Sequence, residues 1–154
     1  METRGANETC LVQCVVLDCA DVGGLSRFYQ SLLGGVVNQP DLRWSLGDEW
    51  ATLHTDGGLV LAFQWVEDHR PPRWPDPARP QQFHLDLGVE DLDQAQEGVL
   101  RMGATLLDEG GGKRSWRVFA DPNALARTGP LGCADQRWAC TGASFARSSA
   151  NRRW

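Results

Sequence analysis

The sequence predicts an α+β fold made of two βαβββ modules whose sheets lie side by side and enclose a cleft. Three observations predict it. An offset of 70 lays residues 14–21 on residues 84–91, with Leu17 on Leu87 and Asp21 on Asp91, while Leu25, Tyr29 and Leu32 fall on Ala95, Val99 and Met102. Each copy has the same order of a strand-length apolar run, an aspartate at a helix-opening position and an apolar stripe at helical spacing. Between the copies, residues 67–80 hold five of the eight prolines, which neither donate to a sheet nor continue a helix, so this stretch reads as a linker.

In chain order, residues 11–19 are a Val/Leu/Cys run of strand length, and Asp21 caps a helix over 21–33. Leu25, Phe28, Tyr29, Leu32 and Leu33 form its apolar stripe, and Gly34-Gly35 stops it. Three short strands follow: one from Val36 toward Trp44, one over 50–55 and one over 59–66. Turn signals separate them at Gly47-Asp48 and Asp56-Gly57-Gly58. Phe83, Leu85, Leu87 and Val89 alternate with His84, Asp86 and Gly88, which makes a half-buried strand with one polar face. Asp91 opens a second helix ending at Gly103. Strands over 104–107 and 116–120 flank the Gly110-Gly111-Gly112 turn. Module one is thus 10–66, the linker 67–80 and module two 81–122.

The chain has 154 residues, of which 42% are hydrophobic and 23% charged, and its seven tryptophans add to a composition that can bury a core. A net charge of −5 argues against nucleic acid as a partner. That total conceals an asymmetry: residues 1–122 carry 10 basic and 19 acidic side chains, and residues 123–154 carry 5 and 1. No run of eighteen apolar residues suggests a membrane span, and the first residues, METRGANET, lack a secretory pattern, so a cytoplasmic protein is expected. The cysteines at 10, 14, 19, 133 and 140 lack CxxC spacing and read as reduced thiols, Cys10 and Cys19 as small strand residues.

Taken together, the blocks CVVLDCAD, FYQSLLGG, WATLHTDGGLVLAFQWV, RPPRWPDPARPQQFHLDLGVEDLDQA, GATLLDE and WRVFADP resemble the glyoxalase-like members of the vicinal oxygen chelate superfamily, which also includes bleomycin-resistance proteins and dioxygenases. The likeness runs over roughly residues 10–122. It implies a cup-shaped mixed sheet with the helices outside, a dimer or pseudo-dimer, and, in catalytic members, a divalent metal that chelates two neighbouring substrate oxygens. Metal ligands in that family come from the first and last strands of each module. Carried over, those positions are Cys14, where the family has histidine, Gln64, where it has glutamate, and His84. The fourth, after Asp121-Pro122, has no counterpart.

A divalent cation needs several anionic or imidazole donors in fixed geometry. Cys14, His84 and Asp86, the last on the same strand face as His84, make a conceivable set; the alternative for His84 is a cleft histidine hydrogen-bonded to a neighbour such as Gln64 or Gln82. Trp44, Trp50, Gln64, His84, Asp86 and Trp116 are the expected ligand-binding residues, because aromatic and polar groups line small-molecule sites. Two functions follow: metal-assisted lyase, isomerase or dioxygenase chemistry, or non-catalytic sequestration of a small molecule such as a cationic aromatic drug. Gly110 to Ser115 is no phosphate loop, since the chain turns into a strand where that motif opens a helix. No nucleophile elbow surrounds any serine.

From residue 123 onward there is neither strand alternation nor a helical stripe. The final strand of module two is therefore expected to be missing or replaced. The basic tail 123–154 reads as poorly ordered, or as an out-of-frame translation of a GC-rich gene.

Overall fold

In the computed structural model the structure describes residues 12–39, 48–73, 76–81, 83–110, 116–124 and 142–147. The first strand, β1 (Val15–Cys19), runs into α1 (Val22–Leu33), followed by β2 (Val36–Val37), β3 (Trp50–His54) and β4 (Val60–Trp65). The second set is β5 (His84–Val89), α2 (Leu92–Arg101), β6 (Thr105–Asp108), β7 (Trp116–Ala120), a 3-10 turn at Pro122–Ala124 and β8 (Gly142–Arg147). The strand orders are β1-β4-β3-β2 and β5-β8-β7-β6, so the two halves share one topology. In each sheet the first strand lies parallel to the fourth, and the other pairs are antiparallel.

Both helices start where the sequence places them. The Asp21 carboxylate accepts from Gly24 N–H at 2.8 Å, and Asp91 accepts from Asp93 and Gln94 N–H at 2.8 and 3.0 Å. Each cap satisfies amides left without intrahelical partners and contributes about 1 kcal/mol. Gly34, at φ 71°, ends α1, with its N–H donating to Gln30 at 2.9 Å. Gly35 follows at φ 93°, where a Cβ would stand 2.2 Å from the His54 carbonyl oxygen, so only glycine lets β2 close onto β3.

One core joins the halves. Leu17, Cys19, Leu25, Phe28, Tyr29, Leu53, Leu61 and Phe63 are buried with Leu92, Val99, Ala104 and Phe119 in a single cluster. Tyr29 stacks on Phe63 with ring centroids 5.8 Å apart, and Phe28 meets Tyr29 edge-on at 5.2 Å. Phe63 faces the helix. Trp65, two residues on, lies at the sheet's end and is 41% exposed. Between the modules, the proline-rich linker folds back on itself: Arg73 N–H donates to Arg79 and Arg79 N–H to Asp76.

The fourth strand of module two is present, and the tail supplies it. Gly142–Arg147 pairs with β5 from His84↔Gly142 to Val89↔Arg147 and with β7 from Trp116↔Ala146 to Ala120↔Gly142. The expectation of a missing final strand and a poorly ordered tail is corrected for these six residues, which replace that strand. Their sequence, GASFAR, has no β-branched residue and no alternation. Pairing on both sides overrides that weak propensity. Asn123 and Ala124 belong to the 3-10 turn, whereas residues 125–141, 148–154 and the stretch 40–47 toward Trp44 lie outside the described residues.

Candidate functional site

Strand register decides which side chains share a face. On β1, β3 and β4 the buried residues Leu17, Cys19, Ala51, Leu53, Leu61 and Phe63 turn toward the helices, so their neighbours face the opposite way. Across that open face of sheet one, Asp18, Gln64 and Trp50 stand in one cross-strand row, and Val16, Ala62 and Thr52 form the next. His54 continues the face along β3. On sheet two, Leu85, Leu87 and Val89 pack into the core, which leaves His84, Asp86 and Gly88 on the open side. Trp116 and Val118 share that side of β7, because Phe119 is buried and Arg117 reaches α2.

On this face of sheet one, Trp50 Nε1 and Thr52 Oγ1 are buried polar atoms with no hydrogen-bond partner among the described residues. Thr52 is 1% exposed. Its backbone is satisfied, since Thr52 N–H donates to Asn38 Oδ1 at 3.0 Å and its carbonyl accepts from Asn38 N–H at 2.8 Å. The hydroxyl and the indole N–H are thus the groups left over. A buried unsatisfied donor costs about 1–3 kcal/mol, so such groups mark a place where water or a ligand completes the bonding.

Of the expected site residues, Trp50 and Gln64 fall in one row, and His84 and Asp86 fall together on β5, with His84 Nε2 3.6 Å from Asp86 Oδ1. Their side chains are 55% and 74% exposed. Trp116 lies on the open side of β7, and Trp44 lies outside the described residues. Asp18, Thr52 and His54 were not anticipated. The signal that finds them is strand alternation carried through β1 and β3, where apolar residues mask it.

The described residues do not fit a metal. Among the described residues no three of His, Cys, Asp and Glu come together. His84 and Asp86 supply one imidazole and one carboxylate, Cys14 joins no cluster with them, and two donors fall short of the three or more that fix a divalent cation. The remaining described cysteine is inert: burial pushes the Cys19 thiol up to about 11, against a hydrogen bond from the Asp21 backbone that pulls it down, with Asp21, Asp18 and Asp121 adding to the rise. Away from the open faces, a cavity of about 320 Å³ is bordered by Asp21, Arg27, Phe28, Met102 and Asn123, and none of the expected site residues lines it.

Two βαβββ modules of equal topology, with polar and aromatic groups on the sides turned away from the helices, define a paired-module protein of the kind that the sequence blocks imply. The sequence matches the family model described as a glyoxalase-like domain over residues 14–125, and the chain belongs to that family, within the vicinal oxygen chelate superfamily. No curated protein sequence matches it. Among solved structures it is similar to a glyoxalase/bleomycin resistance protein/dioxygenase family enzyme from Burkholderia phytofirmans, at 15% identity and TM-score 0.56, covering 86% of this chain and 94% of that one. It is similar to a genomically encoded fosfomycin resistance protein from Listeria monocytogenes at 10% identity and TM-score 0.58, covering 92% and 96%. A glyoxalase/dioxygenase from Nostoc punctiforme matches at 15% identity and TM-score 0.57, covering 94% of each chain. At these identities the likeness is one of fold. No helix among the described residues is long and apolar enough to cross a membrane.

Proposed function

We propose that this protein binds a small molecule on the open faces of its two sheets, without a resident metal and without chemistry of its own. The observation that carries this reading is the pair of buried, unpartnered groups on β3, Trp50 Nε1 and Thr52 Oγ1. An indole N–H only donates and a hydroxyl can do so, so the ligand presents hydrogen-bond acceptors there. Gln64 beside Trp50 adds an amide that donates and accepts. Asp18, Asp86 and the faces of Trp50 and Trp116 suit a cationic aromatic body. The reading includes a homodimer in the cytoplasm, for which sedimentation and cell fractionation are the checks.

A screen of cationic aromatic compounds by thermal shift tests it. We expect at least one to raise the melting temperature, as any ligand selective for the folded state must. Trp50→Phe, which keeps an aromatic face but removes the N–H together with the pyrrole ring, should weaken that compound about tenfold. If no compound stabilises the fold, or if Trp50→Phe binds unchanged, the reading fails. The second reading is metal-assisted chemistry on vicinal oxygens, favoured by the His84–Asp86 pair. Stoichiometric divalent metal in the purified protein, lost in His84→Ala, would establish it in place of the first.

A further inference from the structure

Where module one, the linker and the turn after β7 meet, the hydrogen bonds of one carboxamide have directions fixed by the backbone. Asn123 Oδ1 accepts from Ala20 N–H at 3.3 Å, and Asn123 Nδ2 donates to the Asp18 carbonyl at 3.1 Å. A backbone N–H only donates and a carbonyl only accepts, so the main chain alone sets the orientation of this amide. The other Nδ2 proton meets His69 Nε2, 3.1 Å away. That nitrogen must therefore be the bare acceptor, with the ring neutral and its proton on Nδ1. His69 is half-buried, follows Asp68, whose φ of 55° turns the chain, and precedes the buried Pro71 by two residues. One contact thus ties the linker to the end of β1 and to the 3-10 turn that follows β7.

We propose that His69 is a proton-controlled latch: neutral, it accepts from Asn123 and holds the linker against the junction of the modules; protonated, it opposes N–H to N–H and releases the linker. Among the described residues, Asp18 on β1 acts on the ring, Asp121 lies one hydrogen bond beyond Asn123, and Asp68 and Arg70 are its chain neighbours in the linker. Burial lowers the pKa of His69 and outweighs the opposing pull of Asp18. Since the folded value lies below the unfolded one of about 6.5, the latch's contribution is complete above that pH and is lost as pH falls through the folded value. Mild acid opens it.

Long-range proton–nitrogen spectra of the full-length labelled protein read the tautomer and the titration midpoint of His69. We expect the Nδ1–H tautomer at about pH 7.5 and a midpoint below the ordinary value of about 6.5. Asn123→Asp keeps an acceptor for Ala20 but sets a carboxylate against Nε2, and should raise the midpoint above that value. In Asn123→Ala, trypsin should cut after Arg73, the one arginine of the linker not followed by proline, about fivefold faster than in the wild type at one fixed pH, the ratio expected for one lost hydrogen bond. An Nε2–H tautomer in the wild type, or a midpoint at or above 6.5, overturns the proposal whether or not either variant folds. Equal cleavage of wild type and Asn123→Ala overturns it as well.

Discussion

The phenol of Tyr29 donates a 2.8 Å hydrogen bond to Oδ2 of Asp121, across 92 residues of sequence and wholly inside the protein. The helix of module one thereby holds the turn that leaves the third strand of module two, where Asp121 Oδ1 also accepts from Asn123 N–H at 3.0 Å. A buried carboxylate is tolerated only with such donors.

Tyr29→Phe keeps the ring on Phe63 and removes the donor. It should destabilise the protein by about 1–3 kcal/mol in urea unfolding, with the slope unchanged. Burial, with the nearby Asp121, holds the Tyr29 pKa well above its ordinary value. The sign follows: a raised folded value means that stability is intact below the unfolded pKa of about 10 and is lost as pH rises through the folded one. Tyr29 is the only tyrosine, so tyrosinate absorbance reads it alone. The phenol should stay protonated at pH values that ionise free tyrosine, and an ordinary titration curve would contradict the geometry.

How much of this was legible in the sequence varies along the chain. The offset of 70 located both aspartate caps and both first strands, because capping and amphipathic spacing are local properties written in residue type. The His84–Asp86 pair followed from alternation on β5. What failed to show was β8, since GASFAR is held by its two neighbours and not by its own preference. Thr52 was hidden for a related reason: β3 is buried at Ala51, Thr52 and Leu53 in succession, which erases the alternation that exposes a site residue. The Asn123–His69 contact joins positions 54 apart and leaves no local trace.

Cys19 and Cys14 should part company in thiol chemistry. With its pKa pushed up to about 11 and the side chain fully buried, Cys19 carries about one thiolate per thousand at pH 8. A disulfide reagent followed by peptide mapping should label the half-buried Cys14 and leave Cys19 unmodified until the protein is unfolded. Early labelling of Cys19 would show that α1 and β1 separate more readily than their packing implies.

Arg117 reaches from β7 to the first turn of α2, where Nη1 donates to the Leu92 carbonyl at 3.0 Å and Nη2 to Asp93 Oδ1 at 2.7 Å. These bonds differ in worth. The Asp93 side chain is 80% exposed, so its ion pair is weakened by solvent, whereas Leu92 is buried and its carbonyl would lose a partner in a dry setting. Arg117→Met should therefore cost about 1–2 kcal/mol and Asp93→Asn less than about 0.5 kcal/mol. Equal losses, measured by chemical denaturation, would place the value in the ion pair.

The strand supplied by the tail lends itself to the sharpest test. Position 144 sits in the middle of β8, opposite Asp86 on one side and Val118 on the other. Proline there has no N–H to give and cannot occupy a strand paired on both edges. Ser144→Pro, or truncation before Gly142, should cost about 3 kcal/mol or more and leave β5 and β7 with unpaired edges. Because Leu92, Val99 and Phe119 share one core with Leu17, Tyr29 and Phe63, the damage should spread beyond module two. Amide exchange should accelerate in β5 and β7 first and then in α1, and the soluble fraction should fall as the opened edges pair between molecules. Unchanged protection of β5 in the truncated chain would mean that the sheet of module two closes without β8.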